Sequence, residues 1–209
     1  MHKVKAGFTL LALLLPLLLN ATHILKNDLL NIKASKLIDE MGDELFTKTG
    51  VNAYVMATNE HFPERFNLVA YSKKYDVNMS KPYVLFIFAP YATILKGAET
   101  KGRVGIIPSS QELKKSYHYD NVRDAAIDVV AMKDSNTNEA KFNIGIVQGY
   151  SELSDNIAAS KGIKLEKTIP NDTGTVLTVL RVLVYLGSII VLWIFIFRPL
   201  FMRRKNGKE

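Results

Sequence analysis

A chain of 209 residues without cysteine excludes disulfides, thiol nucleophiles and thiolate-held metal centres. Its formal charge of +7 invites a nucleic-acid reading, but the excess sits at the two ends. Of 27 Lys/Arg and 20 Asp/Glu, Lys3 and Lys5 open the chain, and Arg181, Arg198, Arg203, Arg204, Lys205 and Lys208 come after residue 175 with Glu209. That leaves 19 of each sign in between, so the middle has no net field for phosphates and no nucleic-acid partner is expected.

The chain opens on Lys3 and Lys5, followed by a pure apolar run from Gly7 to Leu19. A charged start and a short apolar centre describe a secretory signal or a retained anchor. A cut after Ala21 would place Leu19 where a small residue is wanted. We therefore expect an uncleaved transmembrane helix over residues 1–27, running on through Asn20, Thr22 and His23 to Ile24 and Leu25.

From Leu30, the residues Ala34, Leu37, Ile38, Met41 and Leu45 follow helical spacing and stop at Gly50. Asp39, Glu40, Asp43 and Glu44 line this helix as an acidic stripe, either a solvated face or a docking surface for a basic partner. Val51 to Thr58 reads as a strand. Pro63 is placed to open a second helix carrying Phe66, Val69 and Ala70. Tyr83 to Pro90 is nearly all apolar, the mark of a central strand covered on both faces. Arg103 to Pro108 reads as a shorter strand, Asp120 to Met132 as a helix, and Lys141 to Ser160 as a longer amphipathic helix. Gly145 and Gly149, one turn apart, suggest close helix packing. Over residues 28–168 the expected fold is α/β, a central mixed sheet sandwiched by helices.

Residues 169–199 hold a linker and a second apolar run, Val176 to Phe197, broken only by Arg181. As a helix its 22 residues span about 33 Å against a hydrocarbon core of about 30 Å. The basic tail 200–209, with Arg203, Arg204 and Lys205, is expected to stay in the cytoplasm, as are Lys3 and Lys5. Both termini are then cytoplasmic, and residues 28–168 face the periplasm of a bacterial inner membrane. Arg181 either snorkels to headgroups or meets an acidic or carbonyl partner on another membrane subunit.

Chemistry-bearing clusters are sparse. Glu60, His61 and Glu64 could share a helical face but lack a third ligand. His118 near Asp120 and Asp124 reads as a surface loop, and Ser109-Ser110 as a turn. We expect no catalytic residues, metal, cofactor or small-molecule substrate.

Five stretches carry a family likeness: Thr49-Gly50-Val51, Phe88-Ala89-Pro90, Arg103-Val104-Gly105-Ile106, the segment Asp124 to Val130, and the segment Phe142 to Gly149. With them residues 28–165 resemble the TPM domain, named for thylakoid-lumen, photosystem-repair and nicotinic-receptor-modulator proteins and frequent in bacterial envelope proteins. The resemblance implies an α/β domain outside a membrane with a C-terminal anchor, and a role in maintaining membrane complexes. It also implies calcium binding or weak phosphatase activity where acidic residues follow the apolar strand. Here Tyr91-Ala92 stands there, and Pro108-Ser109-Ser110-Gln111-Glu112 replaces a Gly-rich stretch, so Glu112 is the carboxylate that remains. The expected role is a non-catalytic accessory protein that stabilises, chaperones or helps assemble integral membrane subunits, of a respiratory or ion-driven motor complex for example. The alternative is a metal-dependent hydrolase of the phosphatase type with a degenerate acidic site.

Overall fold

The computed structural model describes residues 22–92, 102–170 and 172–198. The chain divides into two compact units, Met1–Pro170 and Asn171–Glu209. In the first, β1 (Ile24–Asn27) leads to α1 (Ile32–Thr49), β2 (Asn52–Ala57), α2 (Leu68–Ser72) with a 3-10 turn over Lys73–Asn78, and β3 (Tyr83–Ala89). β4 (Arg103–Pro108), a second 3-10 turn (Leu113–Ser116), α3 (Tyr119–Ala131) and α4 (Asn138–Ser160) complete it. The strands lie in the order β1-β2-β3-β4. The first three are parallel and β4 is antiparallel to β3, so the sheet is mixed.

The apolar run at Tyr83–Ala89 dictates the layering. Every residue of β2 and β3 is buried, and successive side chains of a strand point to opposite faces. Val84, Phe86 and Phe88 meet α1, α3 and α4 on one face, while Leu85, Ile87 and Ala89 meet Phe62, Leu68 and Met79 on the other. α1 follows its sequence pattern closely: Asn31 caps its start by accepting from the Ala34 N–H, and Gly50 ends it at φ 72°. α4 buries Phe142, Ile146, Gly149, Leu153 and Ile157 along one side.

Two sequence expectations are corrected. Residues Ile24–Asn27 do not extend an N-terminal helix; they form β1, paired parallel with β2. Ile24 packs into one core and Leu25 into the other, a division that only an extended segment allows. His23 and β1 therefore already belong to the globular unit, upstream of residue 28. Pro63 also opens no helix. Arg65 takes a left-handed φ of 55°, which breaks the helical path, and α2 starts later, where the Asn67 side chain accepts from the Val69 and Ala70 N–H groups.

In the second unit, α5 (Asp172–Leu192) passes into a π-helical turn at Trp193–Phe197. Among the described residues, no helix is long and apolar enough to cross a membrane. Lys3, Lys5, Arg203, Arg204, Lys205 and the side chain of Arg181 lie outside the described residues, as does the N-terminal apolar run.

The glycine pair on α4 is a packing device. A Cβ on Gly145 would stand 2.5 Å from the Ala126 carbonyl oxygen of α3, and one on Gly149 2.8 Å from the Phe86 ring. Gly to Ala inside a helix ordinarily gains about 1 kcal/mol. Gly145→Ala should instead lose about 2 kcal/mol by forcing α3 away from α4, read as a lower urea midpoint.

Candidate functional site

Three acids of the α1 stripe also bond within the fold. β1 begins opposite Val55, so the Ala53 carbonyl, further back along β2, has no strand partner beside it. Two side chains replace one: His23 Nδ1 lies 2.9 Å from that oxygen and the Tyr150 hydroxyl donates to it at 2.9 Å. A carbonyl only accepts, so the His23 Nδ1 carries a hydrogen and donates it. The imidazole is 1% exposed and lies against Gly42, where any Cβ would meet its ring at 2.4 Å. Asp43 holds its Nε2 at 3.2 Å, and Asp39 accepts from its backbone N–H at 2.9 Å. Burial, reinforced by Asp39 and Asp43, pushes the Tyr150 phenol well above its ordinary value, so it stays a donor.

Glu44 is used internally too. Its carboxylate accepts from the Glu166 and Lys167 N–H groups at 2.8 Å each and pairs with Lys48 at 2.7 Å, tying the segment after α4 to α1. Burial alone would raise the Glu44 pKa, but these hydrogen bonds outweigh it and hold the carboxyl below its ordinary value. Glu40 pairs only along its own helix, 3.7 Å from Lys36.

A cleft of about 490 Å³ opens at the carboxyl ends of β1, β2 and β3, lined by Asp28, Asn59, His61, Tyr91, Asn138 and Phe142 among others. This is where open α/β sheets place ligand sites, because strand ends and helix starts diverge there. Tyr91 and His61 stack at 4.8 Å, and Tyr91 meets Phe142 edge-on at 6.0 Å. At the rim, Asp28 accepts from the Asn59 N–H at 3.2 Å and the Thr58 hydroxyl at 3.3 Å. Lys26 bridges Asp28 and Glu60, and Glu60 accepts from the Tyr71 hydroxyl at 2.6 Å. Burial would lower the Lys26 pKa, but its bonds to Glu60 and Asp28 raise it overall. Lys26, then Tyr71, hold Glu60 below the ordinary carboxylate range. Asp28 and Glu60 are thus both paired with Lys26.

His61 stands in this cleft, but Glu60 turns to Lys26 instead. His118 is exposed at the start of α3, its N–H donated to Asn156. Glu112 lies at the opposite end of the sheet, because β4 runs antiparallel from Arg103 beside Ala89 to Pro108 beside Val84. Ser109 and Ser110 accept from the Tyr83 and Leu113 N–H groups, as turn residues do. Among the described residues, no group of three or more His, Asp or Glu could hold a metal ion. Asp28, Asn59 and Asn138 were not singled out from the sequence, and Tyr91 and Phe142 were named there only for the family likeness, not as cleft residues. A polar residue just past a strand end was the available signal. The chain matches no protein-family model and no curated protein.

His23→Ala should cost about 3 kcal/mol, from a cavity and a weakened Ala53 anchor, read as a lower denaturation midpoint with the cleft residues otherwise intact. The Glu44 effect has a sign. A carboxyl whose folded pKa lies below its unfolded value stabilises the fold above the unfolded pKa and loses that contribution as pH falls through the folded one. Acidification below the ordinary 4.5 should therefore loosen the 165–167 segment in wild type. Glu44→Gln should start looser at neutral pH and lose less, followed by hydrogen exchange at Glu166 and Lys167.

Proposed function

We propose that the protein is a membrane-tethered accessory factor of the bacterial inner membrane. Its α/β unit stands in the periplasm and supports integral membrane subunits during assembly or repair. The observation that carries this reading is the surface of the second unit. From Val182 to Phe195 every large apolar side chain is between 46% and 73% exposed, on all sides of the helix. An all-round apolar helix needs an apolar solvent, and a bilayer supplies one. As one continuous helix the 22-residue sequence run Val176–Phe197 would reach across it, with Arg203, Arg204 and Lys205 keeping the tail in the cytoplasm.

At the other end, β1 starts so early that the N-terminal segment keeps only the short run Gly7–Leu19. Lys3 and Lys5 orient it for export of the α/β unit, whether it is retained as a second anchor or removed. Arg181 is the residue we assign to meeting an acidic or carbonyl group of a client subunit. The accessory role also draws on the TPM-like pattern and on a cleft where Asp28 and the neighbouring Glu60 are already paired with Lys26.

After alkaline carbonate washing the protein should stay in the membrane pellet, and a reporter fused after Ser80 should be active only in its periplasmic form. Release into the supernatant, or a cytoplasmic signal, would reject the tether. In-cell crosslinking should capture membrane subunits, and Arg181→Leu should reduce that yield severalfold. Metal-stimulated phosphatase turnover abolished by Glu112→Ala would reject the accessory role in favour of hydrolysis.

A further inference from the structure

The globular unit is electrically neutral overall but not evenly charged. β1, β2 and β3 start at one end, and there the chain folds several segments together. The Asn52 N–H donates to the Pro82 carbonyl, the Ser109 N–H to the Tyr83 carbonyl, and Lys161 Nζ to the Thr49 carbonyl at 2.8 Å. Lys48 Nζ donates to the Lys164 carbonyl at 3.2 Å, and the His118 N–H to Asn156, near the end of α4. These bonds gather Lys81, Lys114, Lys115, Lys161, Lys164 and Lys167 at one end of the sheet, all of them exposed. Asp76, Glu112, Asp155 and Glu166 are the acids among the same segments, with Glu44 paired to Lys48. Two large apolar side chains accompany the lysines, Phe46 in the last turn of α1 at 49% exposed and Val77 at 91%.

Lysines on flexible stems with a few exposed apolar side chains form the composition of a surface that rests on anionic headgroups. We propose that this lysine-rich end of the sheet docks on anionic phospholipid, so that the cleft at the opposite strand ends opens away from the bilayer. The inference rests on the membrane tether proposed above. Charge complementarity selects the occupant: the whole unit carries no excess charge to attract anions, whereas this end alone does. Each lysine near such a surface multiplies the docked population by about five, and salt screens the attraction.

The absence of native cysteine allows a direct test. Full-length Gln111→Cys, at the lysine end, and Asn136→Cys, beyond the cleft end, are labelled with an environment-sensitive dye. Each is reconstituted in nanodiscs of phosphatidylcholine alone or with phosphatidylglycerol. We expect the dye at 111 to brighten about twofold or more when phosphatidylglycerol is present. It should return to its first value in high salt or with Lys114→Glu, Lys115→Glu and Lys164→Glu combined, while the dye at 136 stays unchanged. Equal signals at 111 in both lipids, or equal brightening at 136, would overturn the proposal. Failure of the protein to enter nanodiscs of either kind would instead overturn the tether. The salt arm uses wild-type lysines and so does not depend on the triple variant folding.

Discussion

The organisation of this molecule depends on two adjacent strands that have no solvent face. With every side chain of β2 and β3 buried, each face of the sheet requires its own cover. One is supplied by three substantial helices and the other by a five-residue helix, a 3-10 turn and an aromatic group. Phe62 and Phe66 stack at 4.5 Å, with Tyr71 edge-on to Phe62 at 5.0 Å. Flat rings fill much volume per residue, which lets a short segment cover a face that would otherwise need a long helix.

A four-stranded sheet with two edges must also satisfy its unmatched backbone. Where β1 falls short of β2, the Ala53 carbonyl would be an unpaired buried acceptor, at a cost of about 1–3 kcal/mol. His23 and Tyr150 answer it from opposite directions in the chain, and Asp39 and Asp43 hold His23 in place. At the other edge, the Tyr119 hydroxyl donates to the Val104 carbonyl at 2.9 Å, and Pro108 ends the strand without an N–H to offer. On each side of the sheet one backbone acceptor is thus met by a side chain instead of a neighbouring strand.

This use of polar residues divides the molecule into structural and available parts. Carboxylates that look solvated on a helical projection are spent on the fold, as Asp39, Asp43 and Glu44 are, or paired with Lys26, as Asp28 and Glu60 are. The exposed character that remains is polarised. An aromatic and amide-lined cleft occupies the end where the strands finish, and lysines occupy the end where they start.

Much of the layered fold was legible in the amino-acid order, because each signal was local. Gly50 after a helical repeat, the apolar run at Tyr83–Ala89 and the glycine pair on α4 have meanings that depend on neighbours within a turn or a strand. Local signals misled where an apolar run abutted a short strand: Ile24 and Leu25 read as more helix, and only the two cores that receive them separately reveal an extended chain. Pro63 misled similarly, since the left-handed turn at Arg65 is invisible in composition. Tertiary structure alone decided the fate of the charges. Whether Asp43 meets water or His23, and whether Lys114 and Lys164 stand together or apart, depends on segments dozens of residues distant in the chain, whose meeting is set by packing and by backbone groups that must be paired.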